Sequence, residues 1–253
     1  MIHWTQQCKR LKIRSGGSAL LTKSEHDHSE VSAIKAVILD YGEVVSIPPS
    51  SEQMALMAAV LGVSPDLFRT MYPTNRAPYD RGDLSSETYW LKFADDAHVR
   101  LDFTQIEELR RLDVEMWSRV NPQMIRWIQS LSEAGLKTAL LSNMISDMAV
   151  HARQKFSWLN KLTCQVLSCE VRLVKPDRAI YERCLEGLRV TPPETLFVDD
   201  SEINVQAARA LGITSIRFQS VGQLRDELAA SPLAILPSLS ERPFSNVSII
   251  GMK

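Results

Sequence analysis

The sequence predicts an α/β fold in which helices cover both faces of a parallel sheet and a helical segment is inserted after the first strand. Three observations indicate this fold. Short apolar runs rich in β-branched residues alternate with helical patterns along most of the chain. The segment from about residue 48 to residue 117 contains helical patterns only. The 253 residues, 45% of them apolar and 23% charged, are enough to build a large buried core.

Five apolar runs are predicted to form the strands of the sheet. The first, "KAVILD", is continuously aliphatic, which is typical of a strand that is buried on both faces. The predicted strands cover residues 35–40, 136–143, 164–168, 195–200 and 214–219. Because helical patterns separate most of these runs, we expect parallel strands within one sheet.

Helical patterns connect the predicted strands. The clearest covers residues 121–135, where Asn121 is a suitable cap, Pro122 suits the first helical turn and Gly135 favours an end. Further helices are predicted for residues 177–188, 202–212 and 221–229.

The inserted segment is predicted to be a separate helical unit. Its helices cover residues 51–62, 64–73, 85–97 and 104–117, and the last is expected to open with a capping box of Thr104 and Glu107. The predicted boundaries are 48–117 for the insert, and 31–47 together with 118–230 for the sheet core. An insert at this point lies over the carboxyl ends of the strands, where ligands bind in open α/β folds.

Composition excludes several classes of function. The net charge is −1, so no strong field favours nucleic acid or an anionic membrane surface. The four cysteines lack CxxC spacing, and no run of about 18 apolar residues is present, so we expect reduced thiols and a cytoplasmic protein without a membrane span. Residues 1–30 are predicted to be a flexible amino-terminal extension, and residues 231–253 a carboxy-terminal tail.

Polar residues stand at the carboxyl ends of successive predicted strands. Because parallel strands end at the same edge of a sheet, these side chains are expected to converge. Converging carboxylates suit Mg²⁺, and a lysine with a hydroxyl and backbone N–H groups suits a phosphate group. Asp40 is then placed to attack phosphorus as a nucleophile. The converging residues are Asp40, Ser142, Asn143, Lys175, Asp199 and Asp200.

Four segments resemble the four motifs of the haloacid dehalogenase (HAD) superfamily, in the same order. They are "VILDYGEVV", "LLSN", "VKPDRAIYERCL" and "LFVDDSEINVQAARALGI", and the resemblance covers about residues 35–219. The helical insert resembles the C1 cap of that superfamily, and "DRGDLSSETYW" is similar to a cap segment of the glucose-1-phosphate phosphatases and the amino-terminal phosphatase domain of epoxide hydrolases. The resemblance implies a Rossmann-like core, a mobile cap and a Mg²⁺-dependent phosphatase acting on a small phosphorylated substrate.

The resemblance also implies a role for each site residue. Asp40 corresponds to the nucleophile and first metal ligand. The carbonyl of Gly42 and the carboxylate of Asp200 correspond to further metal ligands. Lys175 corresponds to the lysine of the third motif. Ser142 and the backbone N–H of Asn143 correspond to the phosphate-binding groups. Asp199 and Asn204 correspond to residues that hold these groups in position.

One departure from the family pattern concerns the general acid and base. Most phosphatases of the superfamily carry a second aspartate at the position of Gly42, and general acid–base catalysis typically contributes about 10²–10⁴ in rate. Glu43 is a candidate substitute, although a loop-capping role fits this residue at least as well.

Three functions are therefore considered: a Mg²⁺-dependent phosphatase, a non-catalytic relative that binds a phosphorylated ligand or a protein, and a 2-haloacid dehalogenase. Dehalogenases need no metal, so the adjacent carboxylates Asp199 and Asp200 favour the phosphatase. Candidates for substrate recognition in the insert are Tyr79, Arg81 and Trp90. Arg81 is a candidate to hold a second anionic group, and a solvated arginine at a helix end is the favoured alternative for it. For Trp90, packing in the core of the insert is the favoured alternative.

Overall fold

The computed structural model describes residues 33–74 and 76–239. Five parallel strands form one sheet in the order β3-β2-β1-β4-β5. They are β1 (Ala36–Leu39), β2 (Lys137–Ser142), β3 (Cys164–Leu167), β4 (Thr195–Asp199) and β5 (Thr214–Arg217). Each predicted strand is present, and every pair of neighbours is parallel. The predicted Rossmann-like sheet is confirmed.

Helices lie between the strands and on both faces of the sheet, as the strand–helix alternation requires. In the insert after β1 they are α1 (Ser51–Leu61), α2 (Pro65–Met71), α3 (Arg76–Asp80), α4 (Ser86–Asp96) and α5 (Phe103–Met116). In the sheet core they are α6 (Pro122–Glu133), α7 (Ser146–Lys155), α8 (Ser168–Val171), α9 (Arg178–Leu188), α10 (Glu202–Ala210) and α11 (Val221–Ala229). We refer to α1–α5 as the cap.

The sheet separates two hydrophobic layers because successive strand residues point to opposite faces. Ile38, Leu141 and Phe197 pack into one layer with residues of α9 and α10. Val37, Leu140 and Val198 belong to the other layer, which continues into the cap. All four residues of β1 are fully buried, which explains why the first strand reads as an unbroken apolar run.

The chain enters and leaves the cap through two adjacent segments. Ser46 and Val120 form an isolated antiparallel bridge, Ile47 N–H donates to Arg119 O at 2.8 Å, and Asn121 N–H donates to Val45 O at 2.8 Å. These paired segments bring the last residues of the cap next to the turn that follows β1.

The start of α5 differs from the prediction. The helix begins at Phe103, and the capping box consists of Asp102 and Gln105 rather than Thr104 and Glu107. Asp102 Oδ1 accepts from Gln105 N at 2.8 Å, and Gln105 Oε1 accepts from Asp102 N at 3.0 Å. The prediction was wrong because two overlapping sequences have capping-box spacing, and the more amino-terminal one satisfies the backbone N–H groups.

Helix α7 is missing from the sequence prediction. Its cap residue, Ile145, makes no side-chain hydrogen bond to the first turn, so the usual start signal is absent. Its buried face consists of Met148, Ala149 and Ala152 only, a weak apolar pattern.

The predicted extension at residues 1–30 and residues 240–253 of the predicted tail lie outside the described residues. The described part of the tail includes a short 3₁₀ helix, Pro232–Ile235, and buries Leu233, Leu236 and Leu239. Within the described ranges no single helix has the length and apolar character to cross a membrane, and one bent pair, Ser51–Leu61 with Pro65–Met71, reaches them only in combination.

Candidate active site

Three carboxylates meet at the carboxyl edge of the sheet. Asp40 directly follows β1, Asp199 ends β4, and Asp200 comes next in the chain. One carboxylate oxygen from each lies within 4.8 Å of the others. Asp199 is fully buried, Asp40 is 7% exposed, and Asp200 is only partly exposed. The register of β1 with β4 brings these groups together, as the strand ends predict.

Lys175 lies between two of the carboxylates. Its Nζ is 2.7 Å from Asp40 Oδ1 and 2.6 Å from Asp199 Oδ2, and its side chain is almost completely buried. A buried ammonium is costly unless it is paired, and two carboxylates provide that pairing. Burial by itself lowers the pKa of Lys175, but the charges of Asp40 and Asp199 outweigh it and raise the pKa above its ordinary value.

The site carries more negative charge than Lys175 can balance. Burial raises the pKa of Asp40 to about 7, with Lys175 acting in the opposite direction and Asp199 adding to the increase. Burial also raises the pKa of Asp200 to about 6, and the charges of Asp199 and Glu43 contribute. A surplus of closely spaced carboxylates, each disfavoured as an anion, is an arrangement that a divalent cation would stabilise.

Asp199 is occupied by other groups of the protein. Beyond Lys175, its Oδ1 accepts from Ser201 N at 2.9 Å, and Asn204 Nδ2 donates to both of its oxygens at 3.0 and 3.2 Å. Its oxygens are therefore engaged in holding Lys175 and the turn before α10. By contrast, Tyr41 N and Lys175 Nζ both contact the same oxygen of Asp40, Oδ1, each at 2.7 Å.

Asn143 and Ser142 lie at the end of β2, beside the carboxylates. The Asn143 side chain accepts from Lys175 N at 2.8 Å and donates to Lys175 O at 3.0 Å, so it fixes the backbone that carries the lysine. Ser142 is 2% exposed. The next backbone N–H along the chain, that of Met144, donates to Ser168 Oγ at 2.8 Å.

The turn after β1 contains the position that lacks an acid. Gly42 has φ −59° and ψ 128°, which any L residue adopts without strain. A Cβ at Gly42 would meet no heavy atom closer than Asp40 Oδ2 and a ring carbon of Trp117, each at 3.9 Å. Glu43, the alternative acid, is exposed, has φ 56°, and its backbone N–H donates to Ser46 Oγ at 3.1 Å.

The cap residues predicted to contact substrate have different surroundings. Tyr79 and Trp90 are 2% and 0% exposed and belong to the cap core, where Tyr79 stacks on Tyr89 with ring centroids 4.2 Å apart. The packing role predicted for Trp90 agrees with this burial. Arg81 is half-exposed and lies 3.3 Å from Asp83, so it is paired with a carboxylate of its own loop.

The same cap loop contacts the end of the sheet. Ser168 Oγ donates to Asp80 O at 2.5 Å, and it also accepts from the Met144 N–H described above. A Cβ at Gly82 would lie 2.9 Å from Cys169 O, so the loop approaches α8 more closely than a larger residue allows. The cap is thereby docked on α8, the segment that follows β3.

The sequence prediction did not include Trp117 or the partly buried cap pair of Arg76 and Asp80. Trp117 ends α5 in the chain but borders Gly42 in space. Arg76 and Asp80 are four residues apart on α3 and form an ion pair at 3.2 Å. That spacing is a helix ion-pair signal and could have identified the pair, whereas no local pattern indicates the position of Trp117.

Two known proteins are similar in sequence to parts of this chain. The chain is 28% identical over 153 residues to (S)-2-haloacid dehalogenase 1 of Pseudomonas sp. (strain CBS-3), which covers 60% of this chain and 67% of that protein. It is 24% identical over 216 residues to bifunctional epoxide hydrolase 2 of Sus scrofa, covering 78% of this chain but only 38% of the relative.

A solved structure has the same fold. It is a HAD family enzyme from Bacteroides thetaiotaomicron, the wild-type protein in complex with magnesium and inorganic phosphate. The two share 19% sequence identity at a TM-score of 0.62, over 74% of this chain and 95% of that chain.

A protein-family model identifies the family of this chain. Residues 20–212, which include the three clustered carboxylates and Lys175, match the model described as haloacid dehalogenase-like hydrolase. This match extends over well more than half of the chain. The protein therefore belongs to the haloacid dehalogenase-like hydrolases.

Proposed function

We propose that this hydrolase cleaves small phosphate esters in a Mg²⁺-dependent reaction, with Asp40 as the nucleophile. The observation that carries the proposal is the cluster of Asp40, Asp199 and Asp200, whose oxygens lie within 4.8 Å of one another around a single buried lysine. The complex of a structural neighbour with magnesium and inorganic phosphate supports the same chemistry.

The donor set fits Mg²⁺. Carboxylate and carbonyl oxygens are the ligands that this ion prefers. Asp199 is committed to Lys175 and Asn204, so Asp40, Asp200 and the carbonyl of Gly42 are the groups proposed to hold the ion. When bound, Mg²⁺ would offset the repulsion between the Asp40 carboxylate and an anionic phosphate group.

The protein's own groups would carry out two steps. A carboxylate oxygen of Asp40 forms a bond to phosphorus while the ester P–O bond breaks, and the leaving oxygen departs with the electron pair. Water then attacks phosphorus of the aspartyl-phosphate and the bond between Asp40 and phosphorus breaks. One proton of the water passes to a phosphate oxygen, so dihydrogen phosphate leaves and the Asp40 carboxylate is restored. Lys175 balances charge beside the reacting carboxylate, and Ser142 with the Asn143 N–H is proposed to bind the phosphate oxygens. Asp199 and Asn204 position Lys175.

Leaving-group protonation is the weak point of this site. Gly42 provides no acid, and Glu43, the alternative acid, is exposed and has a left-handed backbone conformation. Esters whose leaving group is acidic need no proton donor, whereas alkyl esters do. The rate is therefore expected to depend steeply on the acidity of the leaving group.

A second candidate is 2-haloacid dehalogenation, which the similarity to the Pseudomonas dehalogenase favours. In that reaction Asp40 would attack carbon and no metal would be needed. The additional carboxylates around Asp40 favour the phosphatase, because they are suited to bind a metal ion and the dehalogenase reaction needs none.

One experiment distinguishes the candidates. An aryl phosphate, an anomeric sugar phosphate, an alkyl phosphate and 2-chloropropionate are each incubated with the protein, with Mg²⁺ or with a chelator. We expect phosphate release from the first two, well ahead of the alkyl ester, and only with Mg²⁺. Chloride release that survives the chelator would establish the dehalogenase instead. Binding of Mg²⁺ and phosphate without turnover of any ester would favour a non-catalytic, ligand-binding role.

A further inference from the structure

Two groups lie next to the space that an acidic side chain at position 42 would occupy. A single carbon added at Gly42 would lie 3.9 Å from Asp40 Oδ2 and 3.9 Å from a carbon of the six-membered ring of Trp117. The nucleophile and the indole edge therefore face the same small volume. In the proposed reaction this volume is next to the phosphorus atom that Asp40 attacks. Trp117 is half-buried, so part of its ring remains accessible.

The indole is held in place by a hydrogen-bond network in the cap. Trp117 Nε1 donates to Tyr72 Oη at 3.3 Å, and Tyr72 Oη donates to Asp113 Oδ1 at 2.5 Å. Arg76 donates to the same Tyr72 oxygen at 3.0 Å. The backbone of Trp117 is fixed as well, because Tyr41 Oη donates to Trp117 O at 2.7 Å.

A preorganised ring costs little conformational entropy when a ligand packs against it. Tyr41 is adjacent to the nucleophile in the chain, so the contact between Tyr41 and Trp117 also fixes the distance between the ring and Asp40. A fixed aromatic ring of this kind favours binding of a flat, apolar group of the substrate over a flexible or strongly hydrated group.

We propose that Trp117 is the residue that determines leaving-group specificity, and that it selects phosphate esters with a planar aromatic leaving group. This inference rests on the proposed phosphatase function and narrows its substrate class. Two independent features agree on this class. The absence of an acid at Gly42 requires a leaving group that is stable as an anion, and aryl oxides are stable in this way. The fixed indole beside the same position provides an apolar surface for the ring.

The first test uses binding rather than turnover. Calorimetric titrations compare phenylphosphonate with methylphosphonate, both non-hydrolysable, in the presence of Mg²⁺. The wild type is expected to bind the phenyl compound roughly three- to tenfold more tightly, the range that an aromatic contact typically contributes. Trp117→Leu should remove this preference and leave methylphosphonate binding unchanged, while Trp117→Phe should retain most of it.

A matched control separates recognition from a general effect of losing an indole. Trp158 is 7% exposed and packs against Phe156 with ring centroids 6.2 Å apart. Trp158→Leu removes a tryptophan of the sheet core and should leave the preference between the two phosphonates intact. Thermal unfolding of both leucine variants establishes that the titrated protein is folded.

The second test measures the KM for two substrates with acidic leaving groups, 4-nitrophenyl phosphate and acetyl phosphate. Trp117→Leu should raise the KM roughly three- to tenfold for the aryl ester and less than twofold for acetyl phosphate. Equal changes for both substrates, or equal affinity of the wild type for both phosphonates, would overturn the inference and leave the phosphatase proposal standing. A wild type that binds neither phosphonate and hydrolyses neither substrate would overturn both.

Discussion

Lys175 and Arg76 are both largely buried cations placed between two carboxylates, but they lie in different environments. Lys175 joins Asp40 and Asp199 at the carboxyl edge of the sheet. Arg76 joins Asp80 and Asp113 inside the cap, each at 3.2 Å. We call these the sheet-edge cluster and the cap cluster. Both clusters place one cation between two carboxylates.

The surroundings of the cap cluster are aromatic. The guanidinium carbon of Arg76 lies 4.8, 5.1 and 5.5 Å from the ring centroids of Tyr72, Tyr79 and Tyr89. Tyr72 also donates a hydrogen bond to the fully buried Asp113. These rings and hydrogen bonds leave the cluster largely enclosed by protein, and the cation–π contacts add to the ion pairs. The arrangement is that of a structural network.

The surroundings of the sheet-edge cluster are polar and incompletely balanced. A third carboxylate, Asp200, joins the two that Lys175 contacts, and the pKa of Asp40 and of Asp200 is raised. Perturbed pKa values in a cluster at strand ends are typical of functional sites. The sheet-edge cluster therefore differs from the cap cluster in having negative charge that is available to a ligand.

The largest expected effect distinguishes the two clusters by activity. Asp40→Asn should reduce turnover of an aryl phosphate by at least about 10⁴-fold, because the nucleophile is lost. Stability should be retained, since a buried carboxylate whose pKa is raised to about 7 is disfavoured as an anion at neutral pH. Steady-state hydrolysis and thermal unfolding check both statements. Wild-type turnover in this variant would place the nucleophile elsewhere.

The next effect distinguishes the clusters by stability. Arg76→Ala leaves the fully buried Asp113 without its cation, which should lower the free energy of unfolding by about 3–5 kcal/mol. Arg69, whose exposed guanidinium lies 3.3 Å from Asp66 on α2, is the matched control. Arg69→Ala should cost less than about 1 kcal/mol. Denaturant titrations measure both changes, and equal losses would show that the cap cluster is not a structural network.

A gain of activity is expected at the sheet edge. Gly42→Asp restores a carboxylate at the acid position, and a Cβ there has room, with 3.9 Å to its nearest neighbours. Hydrolysis of an alkyl phosphate should increase by about 10-fold or more, while an aryl phosphate gains little, since general acid catalysis helps poor leaving groups most. Gly42→Ala controls for the added carbon. A uniform change on both esters would argue against the role assigned to this position.

The smallest effect is a pH dependence that only the sheet-edge cluster should have. The pKa of Asp40 is raised to about 7, so the carboxylate takes up a proton as the pH falls through 7 and must lose it to bind a cation. The Mg²⁺ dissociation constant should therefore rise by up to about tenfold per pH unit below 7 and level off above it. Asp200, with a pKa raised to about 6, adds to the weakening at lower pH.

Calorimetric Mg²⁺ titrations between pH 5.5 and 8.5 would measure this dependence. In Asp40→Asn the steep region should shift below pH 6, where only Asp200 titrates. In Asp200→Ala binding should be weak or absent at every pH. An affinity that does not change with pH would show that neither carboxylate is a ligand.

The strands, their parallel arrangement and the residues of the sheet-edge cluster were predictable from the amino-acid sequence. These follow from local patterns, since an apolar run indicates a buried strand and the residue after it lies at a strand end. Five strands at the predicted places and three carboxylates at one edge agree with that reasoning. The boundaries of the cap helices were harder to predict. Helix α5 begins at Phe103, after the cap residue Asp102, because two capping signals overlap.

Tertiary structure alone decided which groups complete the two clusters. Trp117 and Gly42 are far apart in the chain and meet because the two segments that connect the cap to the sheet pair side by side. Asp113 of α5 joins the Arg76–Asp80 pair of α3 only in the folded cap, and Asn143, after β2, holds the backbone of Lys175 in the segment before α9. Contacts of this kind depend on how far apart two elements lie in the folded chain. Local sequence patterns do not contain that distance, so they cannot predict such contacts.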